Sequence, residues 1–262
     1  MIIDTHTHLD DKRYIEDLDE VIERAVEGGV EGFLIPGADI DDLPRACEIA
    51  HKYENVYFAA GVHPYNIDSY DEKILRGYLK DEKCIAVGEC GLDYFRLPDS
   101  QSQIESLKKS QQEIFAKQIE LAIEVKKPLI VHIRDANEDS KRVLRENRAD
   151  LVGGVLHCYN ASRHLLDLSS DGFYFGIGGV LTFKNAKKLV EILPDIPKKR
   201  IILETDSPYL TPHPHRGERN EPYYTTFVAK KMAEILNLSI EEVENFTTLN
   251  AKTLFNALKS VN

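Results

Sequence analysis

The sequence has no membrane-length apolar run, no excess of basic residues and no paired-cysteine motif. No stretch approaches the roughly 18 consecutive apolar residues of a spanning helix, and the N-terminus shows no basic region followed by an apolar segment. The expectation is a cytoplasmic protein with no leader and no membrane association. The four cysteines, Cys47, Cys84, Cys90 and Cys158, form no C-x-x-C pair. That suggests neither a zinc knuckle nor a disulfide framework and fits a reducing compartment. A formal net charge of −11 argues against wrapping duplex nucleic acid by neutralising many phosphates. It leaves room for an enzyme that grips one strand end, because divalent ions supply positive charge that a count of side chains omits. Linker-like Gly/Ser or Pro-rich tracts, repeats and low-complexity segments are also missing, and no obligate protein partner is suggested.

What is present is a regular alternation. At 262 residues and 42% hydrophobic the chain suits two modest domains or one α/β barrel, which typically needs about 250 residues. Short β-branched runs at 2–7, 30–35, 56–61, 84–88, 129–132, 153–157, 173–177 and 200–204 read as strands. Amphipathic stretches at 18–27, 43–53, 72–79, 102–124, 141–147, 163–168 and 186–193 separate them, and three more helices are expected at 224–236, 239–245 and 249–258. Ser239 with Glu242 reads as a capping box. Eight βα units with no break between them predict an α/β fold, a TIM (β/α)8 barrel in one domain over residues 1–262. A doubly wound open sheet would alternate in the same way, so the strand ends carry the decision.

In a barrel the active site stands at the carboxyl ends of the strands. The motif DTHTHLD at 4–10 puts His6 and His8 there on one face of an extended segment. His63 follows strand 3, Glu89 strand 4, His132 strand 5, His157 strand 6 and Asp206 strand 8. His51 and His164 fall in helical patterns instead, where solvation or a helix-terminus contact accounts for them. Imidazoles with carboxylates suit Zn, Mn, Fe, Co or Ni, whereas an all-oxygen set would suit Mg or Ca. Six donors exceed the needs of one catalytic ion, so His6, His8 and Asp206 are assigned to one ion, His132 and His157 to a second, and Glu89 to a bridge. A hydroxide held between the ions, from water whose pKa falls toward about 7, would be the nucleophile, and Asp206 a proton acceptor. Asp4 is expected either to orient one imidazole or to join a hydrogen bond at the barrel floor. His63, Arg134, Arg216 and Asn220 surround the cluster as groups suited to an anionic substrate. Arg134 pairing with Asp135 or Glu138 is the plainer reading of that arginine. The loop 92–103, with Tyr94, Phe95, Arg96 and Pro98, would form either an open rim on which an aromatic stacks a base or a lid.

With those residues laid out, the chain resembles the TatD family of metal-dependent hydrolases, within the amidohydrolase-like, metallo-dependent hydrolase barrels. The motifs that carry it are DTHTHLD at 4–10, GVHP at 61–64, VGECGLDY at 87–94, PLIVHIRDA at 128–136, LHCY at 156–159 and ILETDSPYLTPHPHRGERNEP at 202–222. The resemblance implies a divalent-metal-dependent deoxyribonuclease that removes nucleotides from the 3' end of single-stranded DNA, with RNA a further substrate. It also implies two divalent ions, such as Mg, Mn or Zn, on the six donors above. Glu89 and Asp206 would be catalytic together with His63 at the scissile phosphate, and Arg134, Arg216, Asn220 and Tyr94 would be on the substrate. Ile133, Tyr159 with Asn160, and Glu218 depart from the family pattern, the last where a lysine is frequent. The alternative is a metal-dependent hydrolase of esters or amides, such as a D-aminoacyl-tRNA deacylase or a small-molecule lactonase.

Overall fold

The protein is described here by a computed structural model covering residues 1–260; the last two positions of the expected 1–262 domain lie outside the described residues. Eight parallel strands follow one another around the sheet in chain order: β1 (Ile2–Asp4), β2 (Val30–Ile35), β3 (Val56–Ala60), β4 (Cys84–Asp93), β5 (Leu129–Arg134), β6 (Gly154–Leu156), β7 (Phe173–Ile177) and β8 (Ile201–Leu203). Between β1 and β8 the ring is drawn together by backbone bonds, from Thr5 N to Leu203 O at 3.1 Å, Asp206 N to His6 O at 2.9 Å and His8 N to Ser207 O at 2.8 Å. The Asp4 carboxylate reinforces that seam, accepting from Thr205 N at 2.9 Å and Thr205 Oγ1 at 2.6 Å. Asp4 therefore joins β1 to β8 and orients no imidazole. Burial pushes its carboxyl up to about 8 even against these bonds.

Period-2 alternation explains why the strands look apolar on both faces. Leu34, Tyr57, Ala59, Ile130, Val155 and Ile202 fill the barrel, whereas Phe33, Phe58, Val131 and Phe175 pack outward beneath the helices. The helices are α1 (Leu18–Glu27), α2 (Leu43–Lys52), α3 (Glu72–Tyr78), α4 (Gln101–Val125), α5 (Asn137–Glu146), α6 (Lys187–Ile192), α7 (Thr225–Leu236) and α8 (Ile240–Leu254). None of the described helices is long and apolar enough to cross a membrane. All four cysteines are free.

Several expected elements differ. The segment expected as a helix at 163–168 is 3-10 over Arg163–Ser169, and its buried residues, Leu165 and Leu168, are three apart, the spacing that three residues per turn aligns. The helices expected at 239–245 and 249–258 are one: α8 starts at the Ser239–Glu242 capping box and runs through Phe246–Thr248 without a break. Thr247 Oγ1 bonds back to Val243 O at 2.8 Å, so its hydroxyl is satisfied within the helix. Past its end, Phe255 and Leu258 close the bottom of the barrel together with Ala251. Strand β4 runs to Asp93, five residues past the expected end at 88, and this extension builds the site.

Candidate metal centre

The alternation that fills the barrel also aims the donors. Ile130 points inward on β5, so His132 two residues on points into the mouth and Arg134 reaches the rim; Ile202 is followed in the same way by Glu204 and Asp206. On β4 Ala86 faces inward and Val87 outward, and an irregularity between Val87 and Cys90 shifts the alternation so that Glu89, Gly91 and Asp93 face the mouth. Gly91 pairs with His132, has φ +143° and sits where any side chain would strike the His132 carbonyl. This close approach lets the imidazole lie between two carboxylates, with Nδ1 2.9 Å from Glu89 Oε1 and Nε2 2.8 Å from Asp93 Oδ2.

All six expected donors converge at one mouth. Asp206 Oδ1 lies 3.5 Å from His8 Nε2 and 3.7 Å from both His6 Nε2 and His157 Nε2. Glu89 straddles the cluster, with Oε2 3.3 Å from His6 Nε2 and Oε1 facing His132. His157 stacks on His6 with ring centroids 3.4 Å apart. It therefore stands next to His6, between Glu89 and Asp206.

This donor set fits a cation on its own terms. His6 is 1% exposed, and neither of its ring nitrogens has an aligned hydrogen-bond partner, an arrangement that is costly without something to coordinate. Electrostatics point the same way. Burial opposes charge on His157 and His8, yet Glu204 with Glu89 pushes the first up to about 10, and Asp206 pushes the second up to about 9. Burial would raise Glu89, but His6, His157 and His132 hold it well below the ordinary carboxylate range. Carboxylates this close to imidazoles draw positive charge, and a divalent ion supplies it.

Two acids around these donors went unassigned in the sequence. Asp93 backs His132 and is held in turn by Phe95 N at 2.9 Å. Glu204, fully buried, lies with Oε1 3.1 Å from His157 Nδ1 and accepts from Cys158 N at 2.6 Å. The signal for both was the same period of two, continued from Glu89 and back from Asp206. Glu204 occupies the space above Gly176, where a methyl would collide with its carboxylate. Replacing Glu204 by Gln or Asp93 by Asn should weaken divalent-ion binding about 10–100-fold, as loss of a carboxylate behind a ligating histidine does, with thermal stability little changed. Calorimetric titration of each variant checks this, and unaltered affinity would show that neither acid orients its histidine.

The expected substrate residues separate. His63 is in the mouth, with Nε2 3.7 Å from Glu89 Oε1. Arg134 makes no ion pair among the described residues, with Asp135, Glu138 or any other acid; its guanidinium lies 3.6 Å over the ring of Phe95. Arg216 bonds Thr211 O at 2.7 Å and covers Phe183. Two expectations need correction. Asn220 is fully buried, its amide spent on Thr205 O and Tyr209 O, so it holds the loop after β8 and faces no substrate. Tyr94 is turned under the rim, its hydroxyl donating to Asp139 Oδ2 at 3.0 Å. The exposed aromatics near the mouth are its neighbour Phe95, Tyr65 beside His63 and Tyr209 beside His8. A cleft of about 730 Å³ opens from the donors, with Lys187 and Lys188 at its edge.

Against known proteins, residues 3–256 match the model of the TatD-related DNase family. The chain belongs to this family. It is thus a metal-dependent hydrolase of the TatD type, as the motif set implied. It is 43% identical to YabD of Bacillus subtilis, described as a metal-dependent hydrolase, over 97% of this chain and 99% of that one. It is 32% identical to the 3'-5' ssDNA/RNA exonuclease TatD of Salmonella typhimurium, over 97% and 98% of the two chains. The crystal structure of YJJV, a TatD homologue from Escherichia coli K12, superimposes with a TM-score of 0.87 at 27% identity, covering 97% of this chain and 98% of the other.

Proposed function

We propose that this TatD-family hydrolase cleaves phosphodiesters at the 3' end of single-stranded DNA, using divalent ions held by His6, His8, Glu89, His132, His157 and Asp206. Lys187 and Lys188 carry the reading. Both are exposed, neither has an ion-pair partner among the described residues, and they stand at the edge of the cleft that the donor cluster floors, in a chain of net charge −11. Cations placed there against the overall charge suit a phosphate backbone. Phe95, 53% exposed beneath the Arg134 guanidinium, supplies a surface on which a base can stack, and its exposure speaks for an open rim and against a lid over a small molecule. The exonuclease named among the relatives supports the same class.

Bound divalent ions supply Lewis-acid stabilisation of phosphate charge and lower the pKa of water. The chain's own groups do the rest. Asp206 stays ionised because its hydrogen bond with His8 and the charges of His157 and His6 outweigh its burial, so it can take a proton from the attacking water. His63 accepts from Tyr65 N at Nδ1, at 3.1 Å, which leaves the ring proton on Nε2 aimed into the mouth. Burial pulls its pKa down to about 4, so at neutral pH the ring is an uncharged donor, placed for a phosphate oxygen. Lys187, Lys188 and Arg134 hold the strand while these atoms act.

Reversing Lys187 and Lys188 to glutamate together should raise KM for single-stranded DNA at least about tenfold with kcat little changed. The slope of log affinity against log salt should become shallower by about 1.4, since each phosphate contact on a single strand contributes about 0.7. An unchanged slope and KM would remove the lysines from the strand path. The substrate class itself is tested by offering 3'-labelled single strands beside an aminoacyl-tRNA ester and a lactone. Turnover of an ester or lactone with intact DNA would overturn the nuclease reading.

A further inference from the structure

Among the described residues a second set of mixed donors lies far from the cleft. Cys47 and His51 are one turn apart in the last two turns of α2, and Asp81 stands in the turn between α3 and β4. These positions precede β3 and β4, so the cluster is at the N-terminal end of the barrel, opposite the mouth. His51 Nε2 is 2.9 Å from Asp81 Oδ2 and 3.1 Å from Oδ1, and Cys47 Sγ is 3.7 Å from the same Oδ2. All three donor atoms fall within 4.8 Å of one another.

From this geometry we infer a second divalent-cation site, of the zinc type, with Cys47, His51 and Asp81 as ligands and solvent at the fourth position. Tetrahedral bonds of about 2.3 Å to sulfur and about 2.0–2.2 Å to nitrogen and oxygen require separations of about 3.4 Å for N···O and about 3.6 Å for S···O. The S···O distance already meets this, and the N···O pair needs to open by only about 0.5 Å. The donors are also held in place. Ala46, Ile49 and Ala50 bury α2 against the core, which fixes the face carrying Cys47 and His51. Lys83 N donates to Asp81 Oδ1 at 2.8 Å and leaves Oδ2 turned to the other two groups. The nearby Lys83 ammonium is committed to the carbonyls of Tyr53, Glu54 and Val56. An exposed His–Asp ion pair alone is worth little and gives no reason for a thiol on the same oxygen.

Burial and Asp81 push the Cys47 thiol up, so it keeps its proton until a cation arrives. Binding then forms the metal–sulfur bond and releases that proton to solvent. The ion would pin α2 to the α3–β4 turn.

Cobalt is the probe, because a thiolate on Co2+ gives a near-ultraviolet charge-transfer band that imidazole and carboxylate ligands do not. Metal-free protein titrated with Co2+ should develop this band, and so should Cys158→Ser, which removes the thiol beside the cleft. Cys47→Ser and His51→Ala should each lose it, and His51 is exposed enough that its removal leaves the fold intact. No band in the unaltered protein at saturating Co2+ would overturn the site. A band that survives Cys47→Ser and disappears in Cys158→Ser would also overturn it, by placing the thiolate in the cleft.

Discussion

Replacing Glu89 by glutamine should lower the rate of phosphodiester cleavage by at least about 10³-fold, the scale on which enzymes lose activity when a preorganised charge at the reacting centre is removed. The substitution keeps the size of the side chain, so packing is a small part of the effect. What it removes is geometry and charge together. One carboxylate oxygen faces His6 and the other faces His132, so this side chain connects the two sides of the donor cluster. An amide would present an N–H to one of those sides, facing His6 or His132 and any cation they would hold. Steady-state rates on 3'-labelled single strands, with metal content measured on the same samples, check this. A Gln variant within tenfold of the unaltered enzyme, carrying the same amount of metal, would show that the cluster does not depend on a bridging carboxylate.

Phe255→Ala should cost about 3–5 kcal/mol of stability, the usual range for emptying a buried phenylalanine site. At roughly 2–4 °C per kcal/mol for a chain of this size, the midpoint of thermal unfolding should fall by roughly 6–20 °C. Phe255 is 1% exposed and, with Ala251 and Leu258, covers the barrel floor under Tyr57, Ile85 and Tyr174. The site is at the far end of the strands, so cleavage measured well below the midpoint should stay near normal. A midpoint within 2 °C of the unaltered protein would mean that the floor seals without this ring.

Much of this arrangement was legible in the sequence because two periodicities run through it without conflict. Short β-branched runs marked the strands, and looking at their carboxyl ends led to His132, His157 and Asp206. A period of two, carried four residues beyond Glu89, would have found Asp93, and stepped back from Asp206 it would have found Glu204. What periodicity does not carry is the direction of a side chain in irregular backbone. Tyr94 and Phe95 are adjacent aromatics in one loop, and only Gln112 and Asp139, distant in sequence, decide that the tyrosine turns under and the phenylalanine stays out. Asn220 was misplaced for a similar reason: its carbonyl partners, Thr205 and Tyr209, exist as partners only after the loop folds back. Lys187 and Lys188 drew no notice in the sequence, and their place at the cleft follows from how α6 sits after β7. The gap expected between 245 and 249 is helical in α8, where Thr247 bonds back to Val243 O.

The most direct measurement is nucleotide release from a 3'-labelled single strand by chelator-stripped protein as Mn2+ is titrated back, with ion uptake followed on the same samples. Release should be absent without metal and return as the ions occupy the centre, with neither Glu89→Gln nor Asp206→Asn recovering at any concentration. Release that persists after complete stripping, or that fails to return when the centre has taken up its ions, would contradict the account.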